Sequence, residues 1–248
     1  ISEGNQKGDF INNAILDKNL DIFYYDQSDS NIFKITAAHN IKNGEENVSQ
    51  FELTHPQFNK APSALNISPF FKTASQLYLG LTNGKLFRID NASSTLPEWT
   101  EITGENFLGS ISDIEFGISQ NELFVTMHNY GVDNIWYSND AGQSWRSIEG
   151  DLPDIPVRCI LQNPLNPKDL IIGTAIGLWQ TLDFTNSSPQ WKQLDQGINT
   201  VSVVDLDLRK SDNIVLATTH GRGFFTAQFL NSDERTLDYG QPNDIINV

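Results

Sequence analysis

The sequence predicts an all-β fold built from repeated antiparallel units of four strands. The main observation is a repeat, because Trp99, Trp145 and Trp191 are spaced 46 residues apart and each opens a short segment that leads to a glycine. Upstream of each tryptophan, two short apolar runs are joined by a glycine-bearing turn, which is the pattern of a β-hairpin. A period of about 40–50 residues is typical of propellers and repeat arrays.

The strands follow one another in the same order in every repeat. An apolar segment predicted as a first strand opens each repeat: Phe10–Leu16, Ala64–Phe70, Ile111–Phe116, Val157–Leu161 and Val201–Leu208. A pair of strands follows each one: Ile22–Tyr25 with Ile32–Ile35, Leu77–Thr82 with Leu86–Ile89, Leu123–Thr126 with Ile135–Tyr137, Leu170–Thr174 with Leu178–Trp179, and Ile214–Thr218 with Phe224–Thr226. The tryptophan segments supply the fourth strand. Four antiparallel strands in about 45 residues match one blade of a β-propeller.

We therefore expect a β-propeller of about five blades that belongs to a larger ring of roughly six to eight. The predicted blades cover residues 1–57, 58–105, 106–151, 152–199 and 200–229, and residues 230–248 form a polar tail or linker. Residues 1–4 resemble the end of a fourth strand, and the fifth blade has no clear fourth-strand signal. Because a propeller must close its sheet edges, a five-bladed ring closed by residues 1–4 is the alternative.

Composition and charge exclude several classes of function. The chain has 248 residues, with 31 Asp and Glu against 16 Lys and Arg, and a net charge of −15. This balance argues against nucleic acid as a partner, since phosphate binding requires clustered cations. No apolar run is long enough to span a membrane, and no signal-peptide pattern opens the chain. The single cysteine, Cys159, excludes an intrachain disulfide or a thiolate metal cluster, and we expect no cofactor or metal.

One turn carries a recognisable motif. The segment Ser138-Asn-Asp140-Ala-Gly142-Gln-Ser144-Trp145 has serine and aspartate side chains that can accept backbone N–H groups across the turn, and a glycine suited to positive φ. It resembles the Asp-box (BNR-type) repeat of sortilin-type, xyloglucanase-like and sialidase-like propellers. The resemblance implies a structural role for Ser138, Asp140, Gly142, Ser144 and Trp145.

The end of the last predicted blade adds a second resemblance. Residues 217–225, which contain His220-Gly-Arg222-Gly, resemble the last blades of secreted Bacteroidetes propellers that precede a C-terminal sorting domain. This resemblance implies a secreted or cell-surface protein, with missing blades or neighbouring domains of the same full-length protein as partners.

Candidate binding residues follow from the architecture. Propellers usually bind ligands at the face formed by the turns between strands two and three and by the loops between blades. On that face we expect a carbohydrate or protein ligand to contact His128, Tyr130, Arg158, His220 and Arg222.

Catalysis is the alternative. A sialidase-like site would need three clustered arginines, and only Arg158 and Arg222 fall on suitable loops. A xyloglucanase-like hydrolase would need two carboxylates across a cleft, and the available ones are Glu105, Asp113, Asp151 and Asp154. Because acidic loops are expected in so acidic a chain, we assign no catalytic residue.

Three functions follow from these observations. The leading hypothesis is a non-catalytic binding or scaffold module. A fragment of a xyloglucanase-like glycoside hydrolase is the alternative, and a sortilin-like peptide binder is a third.

Overall fold

The fold is all-β, as the sequence predicts. A computed structural model describes residues 13–26, 35–39, 49–194, 197–198 and 200–230. Every regular element in these ranges is a strand, and the strands form five antiparallel sheets in which chain neighbours pair with each other. No helix in the described ranges is long and apolar enough to cross a membrane.

Four of the sheets have four strands each and the fifth has three in the described residues. Sheet 1 contains β1 (Ala14–Asp17), β2 (Ile22–Asp26), β3 (Ile35–His39) and β4 (Ser49–Leu53). Sheet 2 contains β5 (Pro62–Ile67), β6 (Leu77–Leu81), β7 (Leu86–Asp90) and β8 (Glu98–Glu101). Sheet 3 contains β9 (Ile111–Phe116), β10 (Leu123–Met127), β11 (Ile135–Ser138) and β12 (Arg146–Ser147). Sheet 4 contains β13 (Val157–Gln162), β14 (Leu170–Thr174), β15 (Gly177–Thr181) and β16 (Lys192–Leu194). Sheet 5 contains β17 (Val203–Arg209), β18 (Ile214–Thr219) and β19 (Gly223–Gln228).

The chain divides into two compact units, residues 1–111 and 112–248. In the first unit, fully buried side chains of β2, β6 and β7 form one apolar cluster with Phe58. In the second unit, one cluster joins sheets 3 and 4, and another joins sheets 4 and 5. The second strands β10 and β14 are buried along their whole length, so apolar residues continue through them without the alternation of a half-exposed strand.

The repeated tryptophans lie at the fourth strands but are not equivalent in burial. Trp99 is the second residue of β8, whereas Trp145 and Trp191 immediately precede β12 and β16. Trp191 is only 6% exposed, and its indole Nε1 donates to the carbonyl oxygen of Ile148 at 3.1 Å. This indole therefore ties sheet 4 to the end of sheet 3, while Trp145 is half-buried.

A β-bulge recurs near the start of the first strand. The pairing register with the second strand shifts between Pro62 and Ala64 in sheet 2, between Val157 and Cys159 in sheet 4, and between Val203 and Asp205 in sheet 5. Each shift leaves one residue of the first strand, respectively Ser63, Arg158 and Val204, without a partner on the second. Bulges of this kind re-aim a side chain and disrupt the local ladder.

Candidate binding site at the start of the first strands

Arg158 occupies the bulge of β13, and the Nε of its guanidinium has no hydrogen-bond partner among the described residues. The residue is half-buried, and its guanidinium Nε is fully buried without a hydrogen bond. No described residue forms an ion pair or a hydrogen bond with this side chain. A buried donor without an acceptor is costly, so Arg158 is an unusual feature of a chain with net charge −15.

The turn between β10 and β11 brings His128 and Tyr130 to the same end of the sheets. Burial, and then the nearby Arg158 charge, lower the pKa of His128 below its usual value, so its imidazole is neutral at pH 7. Tyr130 is 68% exposed. Gly131 adopts a φ of 72° and donates its backbone N–H to Asp154 Oδ1 at 2.7 Å, which joins this turn to the loop that leads into β13.

The far side of the same turn is fixed by further hydrogen bonds. The backbone N–H of Asn134 donates to Glu149 Oε2 at 2.7 Å, and the indole Nε1 of Trp136 donates to the carbonyl oxygen of Asp133 at 2.9 Å. Burial raises the pKa of Glu149 to about 7. The turn that carries Tyr130 is therefore held at both of its sides, so its exposed ring projects from an anchored loop.

The first strands of the second unit begin close together. Ser112 Oγ of β9 donates to the carbonyl oxygen of Val157 at 2.7 Å. A Cβ atom placed on Gly173 would lie 2.5 Å from Cys159 Sγ and 2.8 Å from Val203 Cγ1, so β13 and β17 converge there as well. Next to Val203, the hydroxyl of Ser202 is buried and has no hydrogen bond among the described residues.

Of the five sequence-predicted binding residues, these contacts bring three together. His128, Tyr130 and Arg158 share the end of the sheets described above. His220 and Arg222 are exposed in the turn between β18 and β19. This turn lies at the same end of sheet 5 as the start of β17, because Val203 pairs with Thr219 and Thr219 with Gly223, and the backbone N–H of His220 donates to the carbonyl oxygen of Ser202 at 2.9 Å. In the described part of the chain, no side-chain hydrogen bond or ion pair links either of them to the other three.

Loop carboxylates that a hydrolase could use are bound to backbone groups. Asp151 Oδ1 accepts the backbone N–H of Trp191 at 2.7 Å, and Asp154 accepts that of Gly131. Glu105 is exposed and belongs to the first unit. The loop carboxylates of the second unit therefore hold loops in place.

A second group of acids lies along the first strands. Burial raises the pKa of Asp113 to about 7, although the N–H groups of Ile160 and Ile114 donate to its carboxylate. Burial and the neighbouring Asp113 raise the pKa of Glu115 to about 8. Burial, followed by the charge of Asp207, also raises the pKa of Asp205.

Two of these acids, Asp113 and Asp205, lie near Cys159. Cys159 is a free thiol that is 2% exposed. Burial first, and then the charges of Asp113 and Asp205, raise the pKa of this thiol, so it is an unreactive buried side chain. Asp113, Cys159 and Asp205 are 46 residues apart in sequence. The repeat period of the sequence therefore aligns these three positions, although from the sequence Asp113 is considered only as an available carboxylate. Among the described residues, no group of three or more His, Cys, Asp or Glu can hold a metal ion.

The turn from Ser138 to Trp145 lies at the opposite end of sheet 3. Ser138 Oγ accepts the N–H of Gly142 at 2.8 Å and donates to Asp140 Oδ1 at 2.7 Å. Asp140 Oδ1 also accepts the N–H of Ser144 at 2.9 Å. Slight burial raises the pKa of Asp140, but the hydrogen bonds from Ser144 and Ser138 outweigh it and lower that pKa. These bonds are all within the turn, and they account for its serine and aspartate residues.

Comparisons with known proteins identify the fold. No family model and no curated protein matches the chain. Among solved structures, the chain is similar to the GH74 xyloglucanase of Xanthomonas campestris, with 12% identity, a TM-score of 0.62, and coverage of 86% of this chain and 36% of that one. It is also similar to the GH74 enzyme of Niastella koreensis, with 15% identity, a TM-score of 0.60 and coverage of 85% and 35%.

A third similar structure is the Cps50 (Swd1) β-propeller domain of Myceliophteria thermophila, with 14% identity, a TM-score of 0.61 and coverage of 94% and 68%. The protein therefore has the β-propeller fold. It spans about a third of the length of the two GH74 proteins. At these identities the likeness concerns the fold alone, so function must be argued from the site.

Proposed function

We propose that this chain is a non-catalytic binding module of a secreted or cell-surface protein, and that it binds a carbohydrate or protein ligand at His128, Tyr130 and Arg158. The observation that supports this most is Arg158, whose half-buried guanidinium has no described partner. An unsatisfied guanidinium Nε and an exposed aromatic ring at the same end of the sheets provide orientation and contact area to a ligand.

The carboxylates favour binding over hydrolysis. A glycoside hydrolase of the usual kind needs a carboxylic acid and a carboxylate that flank the scissile bond. Asp151 and Asp154 each accept a backbone N–H group at 2.7 Å, which fixes the positions of their carboxylates in the loops. Further blades of the same full-length protein would border the site if the ring is larger.

The test uses polysaccharide affinity electrophoresis on a panel of neutral and acidic plant polysaccharides that includes xyloglucan. We expect the wild-type chain to be retarded by at least one of them. Tyr130→Ala should lose about fivefold to tenfold in affinity, since aromatic stacking contributes about 1–1.4 kcal/mol. Ile118→Ala is the matched control, because Ile118 is 60% exposed at the other end of sheet 3. The proposal is wrong if no polysaccharide and no extracellular protein fraction is bound.

A fragment of a glycoside hydrolase is the second candidate, and one observation favours it. Burial raises the pKa of Asp113 to about 7 and that of Glu115 to about 8, so each carboxyl holds a proton near neutral pH, as a general acid must. Release of reducing ends from xyloglucan by the wild-type chain, lost in Asp113→Asn, would support this function. Binding without reducing-end release supports the binding module.

A further inference from the structure

We propose that the site binds a sugar carrying a single carboxylate, such as one uronic acid residue, and that Arg158 pairs with that carboxylate. This inference rests on the proposed function and names its ligand class. An arginine presents a planar fork of donors that matches a carboxylate in a bidentate pair.

The other arginines of the described residues show how unusual Arg158 is. Arg88 pairs with Asp90 at 2.9 Å, and Arg209 pairs with Asp212 at 2.8 Å. Arg146 donates to the carbonyl oxygen of Phe184 and lies over an aromatic ring. Arg222 is exposed to solvent, whereas Arg158 is half-buried with its Nε hidden from water. Among the arginines of the described residues, Arg158 is therefore partly buried and lacks an acceptor for its Nε. A ligand would provide that acceptor.

The backbone supports the same role. The bulge recurs in sheets 2, 4 and 5, so it belongs to the architecture of the sheets. The bulged residue is Ser63 in sheet 2 and Val204 in sheet 5, which are both uncharged. In sheet 4 it is the charged Arg158. A bulged residue has no partner on the neighbouring strand, and the local bend of the strand re-aims its side chain.

The surrounding charges favour one carboxylate over many. Asp154 and Asp133 lie in the adjoining loops. A polyanion would be repelled by these groups, while a single carboxylate placed on Arg158 is attracted at short range.

The remaining groups suit a sugar better than a peptide. Tyr130 offers an exposed ring for contact with a pyranose face. The neutral imidazole of His128 and the unbonded hydroxyl of Ser202 each both donate and accept hydrogen bonds, as hydroxyl groups of a sugar require. The surroundings of Arg158 therefore combine its positive charge with neutral groups that recognise hydroxyls.

The experiment compares three ligands by isothermal titration calorimetry: a xylotetraose with one glucuronic acid branch, its methyl ester, and unbranched xylotetraose. We expect the acid to bind the wild-type chain at least tenfold more tightly than the ester. Arg158→Gln should abolish that preference, Arg158→Lys should keep part of it, and the control Arg209→Gln should keep all of it. Thermal unfolding of each variant checks that it is folded. The comparison of the acid with its methyl ester uses the wild-type chain alone, so it does not depend on the folding of any variant.

The outcomes separate this inference from the proposed function. Equal binding of acid and ester to the wild-type chain would overturn the carboxylate inference and leave a sugar-binding module. Binding of a short acidic peptide but of none of the three sugars would overturn the sugar assignment. If nothing in the polysaccharide panel, the protein fraction or the three ligands binds, both proposals fail.

Discussion

Trp191 shows how one residue of the repeat joins two sheets. Its indole is 6% exposed within the cluster that joins sheets 3 and 4, and its Nε1 donates to Ile148. Its backbone N–H donates to Asp151. The side chain thus contributes apolar burial and a hydrogen bond, while the backbone fixes the loop that leads to Arg158.

We predict that Trp191→Ala lowers the free energy of unfolding by about 3–5 kcal/mol, the range for truncating a buried aromatic side chain. Trp145→Ala should cost less, because Trp145 is only half-buried. Urea denaturation followed by circular dichroism measures both. Equal losses for the two variants would show that burial does not distinguish these positions of the repeat.

Single residues also show what a sequence can and cannot predict. The sequence shows a glycine after each tryptophan segment. One of these glycines, Gly150, has a φ of 57°. A Cβ on Gly150 would overlap the backbone of Pro189. That contact is 39 residues away in sequence, so the sequence reveals the glycine but not its steric cause. For the same reason the sequence predicts Arg158 as a loop residue, while neither its bulge nor the unbonded state of its Nε among the described residues has a local signal.

At the scale of elements, the alternation of apolar residues located the strands well. The predicted runs Leu77–Thr82 and Leu86–Ile89 correspond to β6 and β7, and Ile111–Phe116 coincides with β9. The predicted strand Ile32–Ile35 falls mostly outside the described residues, as do the predicted roles of residues 1–4 and 231–248. Strand order followed from the sequence because consecutive strands pair, whereas the register shifts depend on packing between sheets.

The outer edge of sheet 5 is the element from which we predict self-association. In the described residues β19 has no neighbour on its outer side, and Phe224 on this strand is 58% exposed. An exposed edge offers unpaired N–H and carbonyl groups to another chain, and a lysine on the edge blocks such pairing. We expect Phe224→Lys to lower the average mass in sedimentation velocity at high protein concentration.

Leu182→Lys is the matched control, because Leu182 is also 58% exposed but lies in a turn after β15. It should leave the association unchanged. A wild-type chain that is monomeric at every concentration would contradict the prediction and indicate that the edge of β19 is covered in solution.

At the scale of the whole molecule, the acidic composition affects stability as well as the choice of ligand. The net charge of −15 opposes the compact state through self-repulsion. Part of this charge is reduced near neutral pH, because the folded chain raises the pKa of Asp113 to about 7 and that of Glu115 to about 8. These groups bind protons in the folded state at pH values where the unfolded chain has released them.

The sign of the pH dependence follows from this difference. In the unfolded chain the two carboxyl groups titrate near pH 4, so between about pH 4 and 8 the folded state holds more protons. Stability therefore decreases as pH rises through this window. We predict that the urea midpoint falls from pH 5 to pH 8.5, and that the double variant Asp113→Asn with Glu115→Gln has a flatter profile.

Asp212→Asn is the control for this measurement, because the hydrogen bond from Arg209 lowers the pKa of Asp212. Because the pKa of Asp212 is lowered from its usual value, this group does not contribute to the slope between pH 5 and 8.5, and the slope should not change. Glu149, whose burial raises its pKa to about 7, contributes a residual slope in the double variant. A wild-type midpoint that is constant or rises over this range would show that the acids of the first strands are ionised and solvated in the folded protein.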